Sequence, residues 1–185
     1  MKRLFLISGR SMSGKDAAAK IIAEQLNQNK ILIIHFGDLV KYFAKEFYHW
    51  DGNKDEQGRA LLQNLGTDTM RTHFPTYWAE VVAKFISATQ DNWDYVVIPD
   101  WRFCNEYDII FKYFKDILTT IHVKRLNEDG SEFINPNMTE AQLNHQSEND
   151  LKNNSFTYDY IIYNIDGLEH MFDSISVILD EIQKL

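Results

Sequence analysis

A glycine-rich loop near the first residues of the chain constrains the fold more than any other feature. Residues 9–16 read GRSMSGKD, which fits the pattern G-x-x-x-x-G-K, and they stand between the apolar run Leu4–Ile7 and a helical pattern that begins at Ala17. Between a strand and a helix, such a loop turns its backbone N–H groups and the start of the helix toward phosphate oxygens. Lys15 adds a positive charge for the terminal phosphates. The sequence therefore predicts a phosphate-binding loop within an α/β fold.

Five short apolar runs predict a parallel sheet. They share continuous rather than alternating hydrophobicity, which is typical of strands that are covered by helices on both faces. The runs are Leu4–Ile7, Ile31–Ile34, Tyr95–Ile98, Leu118–Val123 and Tyr160–Ile162. Helical patterns between them give the order β-α-β-α-α-α-β-α-β-flap-β-α. We therefore expect a three-layer α/β/α sandwich with a five-stranded parallel sheet and right-handed crossovers.

Two segments carry no strand signal. Gln57–Thr89 predicts two helices that are broken near Phe74-Pro75, because proline disfavours helical conformation at the residue before it. Residues 126–155 are polar and predict a flap with one short helix around Thr139–Leu143, which Thr139 caps. No linker or repeat interrupts the chain. We expect one domain over residues 1–185, with a helical part at about 37–92.

Composition excludes several classes of protein. The net charge of −8 argues against nonspecific nucleic-acid binding, which depends on Lys and Arg contacts to phosphates. A single cysteine, Cys104, excludes an intrachain disulfide and fits a reducing cytosol. No segment approaches the roughly 18 apolar residues of a membrane span. We expect a cytoplasmic protein with neither a nucleic-acid nor a membrane partner.

Motifs along most of the chain carry a family resemblance. The loop variant G-x-x-x-S-G-K-D resembles that of phage-type deoxynucleoside monophosphate kinases and of animal-type phosphomevalonate kinases. Four further segments are similar to motifs of the deoxynucleotide kinases, and dephospho-CoA kinases carry a close version of the last one. These segments are Leu65–Asp68 followed by Tyr77-Trp78, Asp94–Arg102, Ile121–Arg125 and Asp159–Glu169.

The resemblance implies a P-loop NTPase fold of the nucleoside monophosphate kinase type and an ATP-dependent kinase that uses Mg²⁺. The implied acceptor is a small phosphorylated molecule, in the first place a deoxynucleoside monophosphate that is converted to the diphosphate. Two alternatives stay open. The acceptor is phosphomevalonate or dephospho-CoA, or the chain binds a nucleotide without efficient transfer. Either a monomer or a homodimer is compatible with the sequence.

The predicted catalytic residues are Lys15, Asp100, Arg102 and Arg125. Asp100 ends a buried strand at the edge where α/β ligands bind, and it either coordinates Mg²⁺, orients the acceptor or caps the next helix. Arg102 is assigned to the acceptor phosphate, and Arg125 to both phosphates at the transition state. Asp16 stands where a Ser or Thr usually ligates Mg²⁺, so it either contacts the metal or caps its helix.

Binding residues complete the prediction. The nucleotide-binding set combines the loop with a residue expected near the adenine: Gly9, Arg10, Ser11, Met12, Ser13, Gly14, Lys15, Asp16, Ala17 and Asn164. The acceptor-binding set lies on the helical part and at the third strand: Asp38, Lys41, Arg59, Asp68, Trp78 and Arg102. Arg71, which flanks the Leu65–Asp68 turn together with Arg59, is the alternative to Arg59. The flap contains no arginine, which shifts the expected charge neutralisation onto Arg125, Arg102 and Arg10. His145 is either a phosphate donor within the flap or a surface histidine.

Overall fold

The sheet is the centre of the molecule. The computed structural model describes residues 1–165 and 167–184, so Asp166 of the closing motif and Leu185 of the predicted domain lie outside it. Five strands pair in parallel in the order β2-β3-β1-β4-β5. They are β1 Arg3–Ser8, β2 Ile31–Ile33, β3 Tyr95–Trp101, β4 Leu118–Arg125 and β5 Tyr160–Asn164. The predicted parallel sheet is confirmed, and the glycine-rich loop leaves its central strand.

Helices follow the strands in the predicted alternation. They are α1 Lys15–Gln25, α2 Asp38–Tyr48, α3 Glu56–Gln63, α4 Met70–His73, α5 Tyr77–Thr89, α6 Cys104–Phe114, α7 Glu140–Leu143, α8 Gln146–Asn153 and α9 Leu168–Gln183. A π-helical turn, Asn64–Thr69, joins α3 to α4. None of the helices in residues 1–165 and 167–184 is long and apolar enough to cross a membrane.

The core lies on both faces of the sheet, as the continuous apolar runs predict. Phe5 and Ile7 of β1 are buried in a cluster with residues of α1 and α9. Leu4 and Leu6 are buried in a second cluster with residues of α5 and α6. Because successive strand residues point to opposite faces, both sets are covered only when helices lie on each side. The three-layer architecture is confirmed.

The helical segment breaks where proline requires it. α4 ends at His73 and α5 begins at Tyr77. The π-helical turn within the first of the two helices is not predicted by the apolar spacing, and it coincides with the Leu-Gly-Thr-Asp motif. The buried indole of Trp78 donates a hydrogen bond to the Gly66 carbonyl oxygen at 2.9 Å. This bond satisfies a backbone acceptor within a turn type that often marks functional sites.

The flap contains the predicted short helix and a second one. Thr139 Oγ1 accepts from the Gln142 amide at 3.3 Å, so the predicted cap of α7 is present. α8 follows directly, and its sequence, QSENDLKN, has no apolar stripe from which a helix is predicted. It buries only Ser147 and Leu151. Its polar side chains are held instead by contacts with the loop and with α6, which no local pattern reveals.

Candidate active site

The glycine-rich loop has a shape that only glycine permits at its two ends. Gly9 has φ +148°, and a Cβ there would lie 2.4 Å from the Val123 carbonyl oxygen. Gly14 has φ +108°, and a Cβ there would lie 2.8 Å from Met171 Cε and 2.9 Å from Asn164 Nδ2. Any larger residue meets both backbone strain and a clash at these positions. The loop is therefore wrapped tightly between β4 and the start of α9.

Lys15 lies at the start of α1 and is buried. Its ammonium donates to the Arg10 carbonyl oxygen at 2.7 Å. Burial lowers the pKa of Lys15 to about 7, and the positive charge of Arg102 acts in the same direction. A buried cation of this kind lacks a full counter-charge, so an anion in front of the loop would restore its ordinary pKa. This is the environment that a polyphosphate needs.

A histidine that the sequence motifs do not include joins Asp16 to the helical part. His35 Nε2 lies 3.1 Å from Asp16 Oδ1, and its Nδ1 lies 3.3 Å from Asp38 Oδ2. Lys41 donates to the other oxygen of Asp38 at 2.9 Å. Burial lowers the pKa of His35, but its hydrogen bonds to the two carboxylates outweigh burial and raise the pKa to about 9. His35 is thus a cation at neutral pH, and it connects the donor loop to α2.

Asp100 orients the start of α2. Its two oxygens accept from the Phe36 and Gly37 amides at 2.8 and 2.9 Å. Each oxygen keeps a second lone pair, and the residue lines the cavity described below. In the described part of the chain no three His, Cys, Asp or Glu residues come close enough to hold a metal. Asp16 and Asp100 fit Mg²⁺ because this ion is usually held by one or two carboxylates together with phosphates and water.

Two arginine–glutamate pairs contribute residues to the lining of the same cavity. Arg71 contacts Glu106 through Nη2, and its guanidinium lies 4.0 Å from the centre of the Phe103 ring. Arg102 contacts Glu148 through Nη1, which also donates to the Ser147 carbonyl oxygen at 3.1 Å. The first pair lies between the helical part and α6. The second joins the end of β3 to the flap.

One cavity of about 420 Å³ connects these groups. It extends from the loop residues Ser11, Met12, Lys15 and Asp16 to the π-helical turn and Trp78. Its basic lining residues are Lys15, Lys41, Lys54, Arg59, Arg71 and Arg102. Positive groups from the loop, the helical part and β3 therefore converge on a single space, as binding of two anionic ligands requires.

Not every predicted residue lies in this cavity. Asp38 touches it through His35, and the exposed Asp68 contacts His145 of the flap at 3.1 Å. Arg125 donates to the Met12 carbonyl oxygen at 3.3 Å, on the other side of the loop. Asn164 Nδ2 donates to the Ser13 carbonyl oxygen at 2.9 Å, and Ala17 packs against the core. The structure thus separates a front group around the cavity from a back group that supports the loop.

Sequence motifs miss three residues of the front group: His35, Glu106 and Glu148. His35 follows the second apolar run at the carboxyl edge of the sheet, a position that signals ligand binding. Glu106 stands three residues after Phe103, and its carboxylate accepts from the Phe103 amide at 3.1 Å, as in a helix capping box. Glu148 lies in a polar segment without any such signal.

Comparison with known proteins adds a family. The sequence profile described as Deoxynucleotide monophosphate kinase matches residues 41–175, more than two thirds of the chain. No curated protein matches the chain at a significant level.

Solved structures with a similar fold are kinases of other substrates. A sugar kinase from Janibacter sp. superposes with a TM-score of 0.55 at 14% identity, covering 97% of this chain and 95% of that one. APS kinase CysC from Mycobacterium tuberculosis, in complex with AMPPNP and APS, gives 0.50 at 12% identity, covering 99% and 98%. At this identity the likeness establishes the fold and leaves the substrate open.

Proposed function

Because the chain belongs to the deoxynucleotide monophosphate kinase family, and is thus a P-loop kinase, we propose that it phosphorylates a deoxynucleoside monophosphate with ATP. The products are the deoxynucleoside diphosphate and ADP. One observation carries the proposal: a single cavity of about 420 Å³ joins the phosphate-binding loop to a helical part that presents its own cations. A donor and an acceptor phosphate both find positive charge there.

The donor side is built from the loop. Backbone N–H groups of residues 9–16 and the start of α1 hold the ATP phosphates, and Lys15 contacts the terminal ones. Asn164 and Arg125 support this side from behind, through the carbonyl oxygens of Ser13 and Met12. Asn164 also stands on the side of the loop where we place the adenine.

The acceptor side is built from the helical part at about 37–92 and from β3. Arg102, Arg59 and Lys41 line the cavity and supply the charge for the acceptor phosphate. A guanidinium forms two parallel hydrogen bonds to a phosphate, which fixes the direction of the acceptor as well as its position. Trp78 is 2% exposed, so its ring forms the buried base of this wall.

Transfer between two phosphates depends on placement and on neutralisation of charge. Lys15 and Arg102 face the space between donor and acceptor, and their charges oppose the repulsion of the two anions. Asp16 and Asp100 are the residues that would hold Mg²⁺. When bound there, this ion would neutralise negative charge on the ATP phosphates. The flap, which contacts the loop through Asn135 at 2.9 Å, excludes water from the site.

An ADP-release assay tests the acceptor. The panel contains the deoxynucleoside monophosphates, phosphomevalonate and dephospho-CoA, each with ATP and Mg²⁺. We expect turnover with at least one deoxynucleoside monophosphate and none with the other two. Turnover only with phosphomevalonate or dephospho-CoA would reassign the acceptor. Tight ATP binding without turnover of any acceptor would identify a nucleotide-binding protein.

Lys15→Ala tests the loop itself. Loss of this charge removes neutralisation of the transferred phosphoryl group, so we expect turnover to fall by about 10³-fold. The thermal midpoint should stay close to the wild-type value, because a buried, undercompensated ammonium adds little stability. Lys84→Ala is the matched control, since Lys84 is exposed on α5 and, among the described residues, pairs only with Glu80. Activity of Lys15→Ala equal to that of the control would remove the loop from the reaction.

A further inference from the structure

We propose that Glu148 of the flap is a positioning residue that places the Arg102 guanidinium beside the phosphate-binding loop. The inference rests on the proposed function, because it gives Arg102 a phosphate to bind. It adds a residue outside every motif discussed above.

Glu148 divides its two oxygens between two parts of the site. One oxygen accepts from Arg102 Nη1. The other accepts from the backbone amide of Ser11, within the loop, at 3.1 Å. The carboxylate thus connects the acceptor-side arginine to the donor loop. No other acidic side chain in the described part of the chain bonds to both.

The carboxylate is buried and ionised. The Glu148 side chain is 7% exposed. Burial is the largest single influence and pushes the pKa of Glu148 upward. The charge and the hydrogen bond of Arg102, together with the Ser11 amide and the charge of Lys15, outweigh burial and hold the pKa below its ordinary value. Burial of an unpaired carboxylate would be costly, so the pair keeps both side chains in this geometry.

Arg102 keeps two donor nitrogens available for a ligand while the flap holds the third. Within residues 1–165 and 167–184, its side-chain hydrogen bonds to Glu148 and Ser147 all use Nη1. Nε and Nη2 therefore have no protein acceptor there, and Arg102 lines the cavity. Glu148 grips one arm of the planar fork, so the remaining nitrogens keep a fixed direction toward a phosphate.

The same contacts make the placement of the Arg102 guanidinium depend on the position of the flap. The Arg102 backbone is fixed independently, since its amide donates to Glu106 at 2.8 Å. Its guanidinium, in contrast, is held only by flap residues Ser147 and Glu148 among the described residues. A flap that moves away takes both partners with it. Arg102 is then placed for transfer only when the flap lies on the loop.

Glu148→Gln tests the inference with little change of shape. Both partners of Glu148 are hydrogen-bond donors, so a glutamine amide can accept from one of them and must present its own N–H₂ to the other. We expect kcat/KM for the deoxynucleoside monophosphate to fall by about 10- to 10²-fold. The KM for ATP should change by less than about 3-fold, because the other loop amides are untouched.

Asp150→Asn is the matched control on the same helix. Asp150 also accepts a backbone amide, that of Cys104 at 2.9 Å, but it touches neither Arg102 nor the loop. The Asp150→Asn variant should lower the thermal midpoint by about as much as Glu148→Gln does and leave kcat/KM near the wild-type value. Equal loss of kcat/KM in the two variants would show that Glu148 only anchors α8, and would overturn the inference.

A double-mutant cycle identifies the partner. If Glu148 acts through Arg102, Glu148→Gln should change kcat/KM by less than about 2-fold in an Arg102→Ala background. Independent, additive losses would overturn the inference. A gain of activity in Glu148→Gln would do so too, since the carboxylate would then be a competitor of the phosphate.

Hydrogen exchange keeps the test separate from the choice of acceptor. The Ser11 amide should exchange slowly in the wild type and in Asp150→Asn, and faster in Glu148→Gln. Failure of the wild type to phosphorylate any deoxynucleoside monophosphate would refute the proposed function alone. Rapid exchange of the wild-type Ser11 amide would refute the placement of Glu148, whatever the acceptor.

Discussion

The two arginine–glutamate pairs at the cavity use the same chemistry in different surroundings. Arg71 and Glu106 have side chains that are 11% and 2% exposed, and Glu106 also accepts the backbone amides of Arg102 and Phe103. Arg102 and Glu148 are 30% and 7% exposed, and Glu148 belongs to the flap. The first pair joins elements packed on the sheet, whereas the second spans a boundary between the sheet and a peripheral segment.

Ionisation separates the pairs as well. Burial raises the pKa of Glu106 although Arg71 opposes it, whereas Arg102 holds the pKa of Glu148 low although burial opposes it. Burial is the largest single influence on both carboxylates, but only at Glu148 do the neighbouring donors and cations together outweigh it. We infer that the Arg71–Glu106 pair is a structural support of the pocket and that the Arg102–Glu148 pair is adjustable.

The largest effect, on the free energy of unfolding, should come from breaking the Arg71–Glu106 pair. Glu106→Gln leaves Arg71 buried without a counter-charge. It also places a side-chain N–H₂ group against one of the groups that now donate to the carboxylate, the Arg71 guanidinium or the backbone amides of Arg102 and Phe103. Loss of one partner of a buried pair costs about 3–5 kcal/mol in free energy of unfolding. Urea unfolding measures this loss. Glu46→Gln, at an exposed position of α2, is the control and should leave the midpoint unchanged. A loss no larger than that of Glu148→Gln would erase the distinction between the pairs.

A smaller effect, on binding of the acceptor, should come from breaking the Arg102–Glu148 pair. Arg102→Ala removes the proposed acceptor contact, and a hydrogen bond to a charged group is worth about 1.5–3 kcal/mol. The KM of the acceptor should therefore rise about 10- to 10²-fold, while the KM for ATP changes by less than about 3-fold. Steady-state kinetics with each substrate varied in turn checks this. The reverse ranking would move Arg102 to the donor side.

The smallest effect is a dependence of stability on pH. The pKa of Glu148 is lower in the folded chain than its ordinary value of 4.5, since Arg102 and, to a lesser extent, Lys15 favour its charge. Its contribution to stability is present above 4.5 and is lost as the pH falls below that value, because the unfolded chain takes up the proton first.

We therefore expect the wild type to exceed Glu148→Gln by about 1 kcal/mol in unfolding free energy near neutral pH. Urea unfolding at about pH 7 and about pH 3.5 should show this difference shrinking toward the acid side. A difference that grows in acid would mean that burial, rather than Arg102, sets the ionisation of Glu148.

Local patterns in the sequence predict the sheet and the loop well. The run Leu4–Ile7 and the spacing from Gly9 to Lys15 each encode their structure within a few residues, and the break at Pro75 does the same. These predictions succeed because strand burial, glycine geometry and proline chemistry act over short distances.

Local sequence patterns do not predict the charged residues at the wall of the cavity. Glu148 meets Arg102 across 46 residues and Ser11 across 137 residues of chain. Its helix lacks an apolar stripe, so nothing nearby announces either the helix or its partners. Arg71 illustrates the same limit. Its place beside the Leu65–Asp68 turn suggests a contact with the acceptor, but local spacing cannot show that Glu106 binds its guanidinium.

The back of the phosphate-binding loop has a consequence for synthesis of the protein. Ser13 receives its hydrogen bond from Asn164, which lies 151 residues later in the chain. At a translation rate of about 5–20 residues per second, the ribosome makes the loop roughly 8–30 s before it makes that support. A nascent chain therefore carries an unsupported nucleotide loop throughout this interval. Chaperones that recognise incomplete domains have that time in which to act.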